Sequence, residues 1–168
     1  MSLEDTLYPL LSVYERLPDG LKRALGTTYR LLPAGVRFGA RYGEFRQLTA
    51  DIESWSVEQI QEYQFKQLRA SLMQAETNCP FYQRTFAQAQ FAAYKIKSLD
   101  GLRHCPFLTK QELLEHLPEM VSTAVPKKQR LYLTTGGSSG VPVGFYLQRG
   151  VSRPKEQAFL EAQWKRGG

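Results

Sequence analysis

Cysteine and histidine are scarce in this sequence, which has two residues of each. Cys79 and Cys105 stand far apart and form no Cys-x-x-Cys pair, whereas small secreted domains held by disulfides usually carry more cysteines. His104 adjoins Cys105, but adjacent side chains of an extended segment point to opposite faces. We therefore expect two reduced thiols and no metal site.

Long apolar runs are also lacking, because no run approaches the roughly 20 residues that a membrane-spanning helix needs. The first five residues, Met1–Asp5, are acidic where a secretory signal is basic. With 42% hydrophobic and 23% charged residues, the chain has the composition of a soluble globular protein. These features predict a cytoplasmic protein with no transmembrane segment.

Positive charge exceeds negative charge by six and is unevenly distributed. Residues 127–168 hold eight basic and two acidic side chains, and residues 21–47 hold six basic and one acidic. The aromatic residues follow helical or strand spacing and do not alternate with lysines and arginines, so we expect no nucleic-acid partner. A positive field of this kind attracts a polyphosphate such as ATP.

The segment Thr134–Pro142 reads TTGGSSGVP and lies between two short runs with the alternation of strands. Glycines allow successive backbone N–H groups to turn toward one centre, and hydroxyl groups add further donors, which together suit a phosphate. The candidate binding residues are Thr134, Thr135, Gly136, Gly137, Ser138, Ser139 and Gly140. The alternative is a hairpin loop whose glycines only permit positive φ.

Two better-known phosphate motifs are absent from this segment. No lysine follows Gly140, so the loop is not of the Walker type. The Gly-x-Gly-x-x-Gly fingerprint of dinucleotide-binding folds is also missing.

Residues 1–50 predict a helical N-terminal extension with helices near 4–16 and 20–31. The second helix can present one apolar face, which is formed by Leu21, Leu25, Tyr29 and Leu32. We favour packing of this face on its own domain, which is the usual fate of amphipathic helices. Weak contact with an anionic membrane surface is the alternative.

Residues 51–125 predict a helical subdomain. Ser56 and Thr109 each begin a capping box, with a glutamine or glutamate three residues further on, so each marks the start of a helix. Another helix is expected from Pro80 to about Gln90. We expect the helix after Thr109 to be short, because Pro118 cannot be accommodated in its interior.

Residues 126–168 predict the start of an α/β subdomain that contains the candidate loop. Two strands flank the loop, and a helix runs from Pro154 to about Lys165. Two strands do not make an independently stable sheet. The fold class predicted for the whole chain is therefore α/β, with a mainly helical N-terminal part that leads into the first strands of one incomplete domain.

Three motifs follow one another along the chain. Trp55-Ser56 and a glutamine-rich helix lead to Asn78–Tyr82 (NCPFY), and Pro106–Lys110 (PFLTK) and the loop at Thr134–Pro142 come later. In this order they resemble the N-terminal region of phenylacetate–CoA ligase-type proteins. The nearest likeness is the CapK-like branch, which is associated with capsular polysaccharide biosynthesis. The resemblance covers most of residues 50–168 and, more loosely, residues 1–50.

The resemblance implies an adenylate-forming enzyme, which activates a carboxylic acid with ATP and Mg²⁺ and passes the acyl group to coenzyme A. In that family the loop holds the β- and γ-phosphates, a role that falls here on residues 134–140. Preorganised donors stabilise a leaving pyrophosphate in this way. Many loops of the family carry a lysine where this chain has Val141. Lys127, Lys128 or Arg149 could supply the missing charge.

The family's adenine-binding segment, magnesium-binding acid and catalytic lysine are expected downstream of the loop. We therefore interpret the chain as an N-terminal fragment, assign no residue a catalytic role, and expect no ligase activity from the chain alone. A different interpretation is a non-enzymatic binding or assembly module of polysaccharide synthesis, whose basic residues 21–47 contact a membrane surface or a partner. A truncated gene product without function is the third interpretation.

Overall fold

The computed structural model of the chain describes residues 3–136 and 140–167. These residues form a mainly helical structure with one small antiparallel sheet of two strands, which is consistent with part of an α/β fold. They divide into two compact units. We call Trp55–Tyr146 the central unit, and Met1–Ser54 together with Leu147–Gly168 the N-terminal unit. The division into three regions made from the sequence remains a prediction.

The elements follow in chain order as α1 (Leu3–Leu7), α2 (Leu11–Glu15), α3 (Asp19–Leu31), α4 (Ala34–Phe38), α5 (Arg41–Ile52), α6 (Val57–Asn78), α7 (Pro80–Gln88), α8 (Lys110–Met120), β1 (Arg130–Thr134), β2 (Gly144–Gln148) and α9 (Ser152–Gly167). Short 3₁₀ turns occupy Tyr8–Leu10, Ala93–Lys95, Leu99–His104 and Lys127–Gln129. No helix in the described part of the chain is long and apolar enough to cross a membrane.

In the N-terminal unit, α5 packs against α9 around Phe38, Tyr42 and Ala158. The helices expected near 4–16 and 20–31 are confirmed, with the first interrupted by the turn at Tyr8–Leu10. The turn contains Pro9, which has no N–H to donate to a continuous α-helix. The apolar face of α3 is less covered than expected, because Leu21 and Leu25 keep about half of their surface exposed.

In the central unit, α6 begins at the capping box predicted for Ser56. The Gln59 N–H donates to Ser56 Oγ at 3.3 Å, and the Ser56 N–H donates to Gln59 Oε1 at 2.8 Å. The helix ends at Asn78, where Cys79 adopts extended backbone angles (φ −120°, ψ 110°) before Pro80. This ending is the one expected for a residue that precedes proline.

The apolar core of the central unit consists of four buried residues, namely Phe86, Phe91, Ala93 and Ile96. The rings of Phe86 and Phe91 lie 4.8 Å apart in an edge-on arrangement that aromatic pairs favour. Phe65 and Leu72 of α6 pack against this cluster. The cluster therefore joins α6 and α7 to the segment that follows α7.

The prediction that Pro118 shortens its helix was wrong, because α8 runs from Lys110 through Pro118 to Met120. Pro118 lies only two residues from the helix end, so it removes one late hydrogen bond and no interior turn. An ion pair at the same turn joins Arg84 of α7 to Glu119 at 2.8 Å. The capping box predicted for Thr109 is confirmed at the other end of α8.

Candidate anion-binding loop

The candidate loop follows β1 and precedes β2. Thr134 ends the first strand, and Thr135, Gly136 and Gly140 are also exposed. Gly137, Ser138 and Ser139 lie outside the described residues. The structure therefore places both ends of the predicted site where the loop connects β1 to β2. The assignment of these residues to a phosphate site stays a prediction.

Two hydrogen bonds between Thr135 and Val143 close the neck of this loop. The Thr135 N–H donates to the Val143 carbonyl at 2.9 Å, and the Val143 N–H donates to Thr135 Oγ1 at 3.0 Å. Because Oγ1 acts as an acceptor in the second bond, its own hydroxyl hydrogen remains able to donate. The neck fixes the base of the loop and leaves a donor there.

The two described glycines of the loop differ in whether their backbone conformation requires glycine. Gly140 has φ of +94°, a backbone conformation that other residues rarely adopt. A Cβ at Gly136 would meet no described atom within 4 Å, and Gly136 does not have positive φ. The positive φ thus explains glycine at 140, whereas at 136 neither the φ angle nor contact with described atoms requires glycine.

The hairpin beside the loop carries an exposed aromatic pair. The rings of Tyr132 on β1 and Tyr146 on β2 lie 5.2 Å apart, and about half of each side chain is exposed. A Cβ at Gly144 would collide with the Tyr132 ring. Gly144 therefore allows Tyr132 to lie close against the second strand.

A chain of hydrogen bonds supports the start of β1. The Arg130 guanidinium donates to the carbonyls of Val125 and Ser122, at 2.8 and 3.0 Å. Nearby, the N–H and hydroxyl of Thr123 both donate to the Asn78 carbonyl, at 2.8 and 3.0 Å. The end of α6 is thus joined to the segment that leads into the loop. Sequence reasoning missed Arg130 and Thr123 as positioning residues, because their partners are backbone carbonyls that no side-chain pattern marks.

The NCPFY motif at Asn78–Tyr82 places α7 against α8. The Phe81 ring is buried and lies 5.5 Å from the His116 ring and 5.3 Å from the Tyr82 ring. Glu119 accepts from Arg84, a bond that holds its pKa below the usual range, and it also pairs with His116 at 3.1 Å. The motif therefore fixes the packing of α7 on α8.

The PFLTK motif at Pro106–Lys110 forms the start of α8. Thr109 is the N-cap of the helix, and its hydrogen bond lowers the pKa of Glu112. Phe107 is 94% exposed, so this aromatic side chain takes no part in the described core. The motif has a clear structural role at Thr109 and leaves Phe107 available as a surface contact.

The cations considered for the loop differ in their surroundings. Lys127 and Lys128 are exposed in the 3₁₀ turn immediately before β1. The Arg149 guanidinium donates to the Asp5 carbonyl within the N-terminal unit, where this contact fixes its direction. The five extended residues of β1, about 17 Å, separate Lys127 and Lys128 from the loop, so these lysines lie at the opposite end of the strand from Val141.

Both cysteines are free, as expected, and neither is poised as a nucleophile. Burial raises the pKa of the Cys79 and Cys105 thiols above the ordinary value. A raised pKa keeps a thiol protonated at neutral pH, and the thiolate is the reactive form. Neither cysteine is therefore assigned to the candidate site.

The segment is rich in glycine and hydroxyl residues and is closed at its neck by Thr135 and Val143, which makes it a candidate for anion binding. No protein-family model matches the chain. The chain is 32% identical over 102 residues to the phenylacetate-coenzyme A ligase of Escherichia coli strain K12, which is 60% of this chain and 23% of that protein. It is 29% identical over 109 residues to the Pseudomonas putida phenylacetate-coenzyme A ligase, with 64% and 25% covered.

These two similarities support a relationship to acid–CoA ligases, and they confirm that part of the resemblance described above. The matched stretch spans about a quarter of the length of either relative.

Proposed function

We propose that this chain is the N-terminal part of an ATP-dependent, adenylate-forming acid–CoA ligase, and that its loop at residues 134–140 binds the β- and γ-phosphates of ATP. The observation that carries the proposal is the hairpin neck, where two hydrogen bonds between Thr135 and Val143 close a segment whose sequence is rich in glycine and hydroxyl residues. The similarity to two phenylacetate-coenzyme A ligases supports the same assignment.

The proposed role of the loop is to hold the leaving group. A carboxylate oxygen of the acid attacks the α-phosphorus of ATP, the bond from that phosphorus to the bridging oxygen breaks, and pyrophosphate leaves with the bond electrons. Backbone N–H groups and the hydroxyls of residues 134–139 then stabilise charge on the leaving pyrophosphate. The thiolate sulfur of coenzyme A afterwards attacks the acyl carbon, and AMP leaves.

Lys127 and Lys128 belong to the excess positive charge of residues 127–168, but they lie at the opposite end of β1 from the loop and are assigned no contact with the phosphates. The described residues contain no group of three or more His, Cys, Asp or Glu side chains that could hold a metal ion. In this family Mg²⁺ enters with ATP, and we assign it no ligand among the described residues. The acyl-transfer step is likewise assigned to no residue of this chain.

The direct test measures binding of inorganic pyrophosphate to the 168-residue chain by phosphorus NMR. Donors without adenine contacts bind weakly, so we expect line broadening only at millimolar pyrophosphate and less broadening at high salt. The double variant Ser138→Ala with Ser139→Ala should weaken this binding several-fold. Gly140→Ala should also weaken it, because alanine is strained at φ of +94°.

The matched control is Ser71→Ala with Ser98→Ala, which removes two exposed hydroxyls outside the loop. If the loop variant and the control variant bind pyrophosphate with equal affinity, the loop hydroxyls do not bind the phosphates and this assignment is wrong. Supplied with ATP, coenzyme A and a panel of aromatic acids, the chain alone should release no pyrophosphate, and robust release would contradict the assignment of catalysis to other segments.

The resemblance to the CapK-like branch leads us to propose surface polysaccharide biosynthesis as the process this ligase serves. Deletion of the gene should then reduce capsular polysaccharide and should leave growth on phenylacetate unchanged. The opposite pattern would favour an aromatic-acid catabolic role.

A further inference from the structure

The N-terminal unit contains a cavity of about 670 Å³ that none of the motifs described above explains. The segment from α1 to Leu17 forms one side of the cavity, and α3 forms the other. Eight of the fifteen lining residues are leucine or valine, and three are tyrosine. A volume of roughly 300–1,000 Å³ with a mainly apolar lining is characteristic of small-molecule sites.

The two charged lining residues are held by the protein itself. Glu4 accepts a hydrogen bond from the Tyr29 hydroxyl at 2.9 Å. The Arg153 guanidinium lies 3.7 Å from the Glu4 carboxylate, 3.8 Å from the Asp5 carboxylate and 4.3 Å from the centre of the Tyr8 ring. Because this arginine faces two carboxylates, it offers little net charge to an anionic head group.

The aliphatic lining remains in contact with water. Leu7, Leu11 and Leu25 are 42%, 43% and 49% exposed, and Val13 is 57% exposed. Leucine surface that stays exposed in a concave site loses the stabilisation that burial would give, about 25 cal/mol per Å². An apolar occupant of the cavity would recover this free energy.

The size of the cavity limits what can enter it. Two turns of helix, about 11 Å long and 10 Å wide, would fill roughly 850 Å³ and would extend beyond the cavity. A cavity of about 150 Å³ holds benzene, so by simple proportion 670 Å³ has room for roughly two dozen carbon atoms. A single aliphatic chain therefore fits within the cavity, whereas a two-turn helix would lie partly outside it.

We propose that this cavity is a binding site for one unbranched aliphatic chain of about 12–18 carbons, of the kind carried by fatty acids and fatty alcohols. Leucine and valine side chains contact the aliphatic chain, and Tyr8 and Tyr29 bound the cavity at the paired charges. The site is separate from the candidate loop, so it does not depend on the proposed ligase function.

The test uses the 168-residue chain and a neutral naphthylamine dye whose fluorescence rises in apolar surroundings. The dye should bind, and dodecanol should displace it. The decisive variant is Gly26→Leu. Gly26 lines the cavity from the interior of α3, and a Cβ there meets no described atom within 4 Å. A leucine at this position occupies the cavity and should weaken dodecanol binding at least about tenfold, which corresponds to roughly 1.4 kcal/mol.

The matched control is Gly43→Leu in α5, where a Cβ also meets no described atom within 4 Å and which does not line the cavity. Both variants replace a helix glycine by a better helix former, so both should raise or preserve the melting temperature. Gly43→Leu should bind dodecanol as the unchanged chain does. Leu11→Gln supplies a second variant, in which a polar group in the lining should also weaken binding.

Three results would overturn the proposal. The first is no displacement of the dye by dodecanol, and the second is equal binding by Gly26→Leu and Gly43→Leu. The third is co-sedimentation with phosphatidylglycerol vesicles without binding of monomeric dodecanol, which would show that the exposed leucines dock on a bilayer surface instead.

Discussion

In the central unit, four buried residues within eleven positions of sequence, from Phe86 to Ile96, make one apolar cluster. In the N-terminal unit, polar contacts join segments far apart in sequence. Tyr42 donates to Glu161 across 119 positions, and the Gly150 N–H donates to the Asp5 carboxylate across 145 positions. The core of the central unit is thus local aromatic packing, whereas in the N-terminal unit buried long-range hydrogen bonds accompany the apolar contact of Phe38 and Tyr42 with Ala158.

This difference matters because the two kinds of contact fail in different ways. Truncating a buried ring costs transfer free energy and leaves a cavity. Removing one partner of a buried polar pair leaves the other group without water and without a partner. Substitutions in the two units, each with an exposed control, can therefore measure which kind of contact contributes more.

The largest effect is expected for Phe86→Ala in the central unit. Phe86 is 2% exposed and contacts the rings of Phe91 and Tyr82. The free energy of unfolding should fall by about 3–5 kcal/mol, measured by urea unfolding followed by circular dichroism. Phe107→Ala, at a residue 94% exposed, should change it by less than about 0.5 kcal/mol. Equal effects would show that the Phe86 cluster does not determine stability.

The corresponding polar test in the N-terminal unit is Asp5→Ala. The Asp5 carboxylate is 1% exposed, accepts from the Gly150 N–H and lies 3.8 Å from the Arg153 guanidinium. Its removal should cost about 2–4 kcal/mol. Asp100→Ala is the control, because Asp100 and its partner Arg103 are both 81% exposed and such pairs contribute about 0–1 kcal/mol. If Asp5→Ala lowers the free energy of unfolding no more than Asp100→Ala does, the buried contacts of Asp5 do not stabilise the N-terminal unit.

Tyr42→Phe should have a smaller effect that depends on pH. Burial, with the hydrogen bond to Glu161, raises the pKa of Tyr42 to about 12. An unfolded tyrosine loses its proton near pH 10, so this contribution to stability is complete below about pH 10 and is lost as the pH rises toward about 12. Tyr42→Phe should lower the free energy of unfolding by about 1 kcal/mol at neutral pH. It should also remove the part of the alkaline decrease in stability that comes from ionisation of Tyr42.

Urea unfolding at a series of alkaline pH values measures this loss. The control is Tyr94→Phe, since Tyr94 is 59% exposed and should keep the wild-type pH dependence. An unchanged alkaline slope in Tyr42→Phe would mean that the bond to Glu161 does not persist in solution.

The smallest expected effect belongs to the local capping signal of the central unit. Ser56→Ala removes the hydroxyl that accepts from the Gln59 N–H and should lower the free energy of unfolding by about 1 kcal/mol. Ser71→Ala, at an exposed position inside the same helix, should be neutral or slightly stabilising. A cap variant as stable as the Ser71 variant would show that the start of α6 frays in solution.

Local signals explain why much of the helical structure could be predicted from the sequence. The capping boxes at Ser56 and Thr109 involve residues three positions apart, and the end of α6 follows from Pro80. Pro118 misled the prediction because its cost depends on how near it stands to the helix end. The bonds from Thr123 to Asn78 could not be predicted, since they join a side chain to a backbone carbonyl 45 positions away.

Only part of the candidate site could be predicted from the sequence. Composition marked the loop, and the structure adds the Thr135–Val143 neck and the need for glycine at 140. The role of residues 137–139 remains a prediction. No sequence motif predicts the apolar cavity beside α3. Its lining combines residues from 3–17 and 25–32 with Arg153, which come together only in the folded unit.

The discontinuous N-terminal unit has a consequence for how the chain is made. Tyr42 and its partner Glu161 are separated by 119 positions, so at about 5–20 residues per second a ribosome needs roughly 6–24 s to deliver the second after the first. During that interval all of Trp55–Tyr146 is synthesised and can fold. Phe38 and Tyr42 pack against Ala158 of α9, so they lack this partner helix for the whole period. Nascent chains should therefore bind chaperones through the first fifty residues and release them only after α9 has left the ribosome.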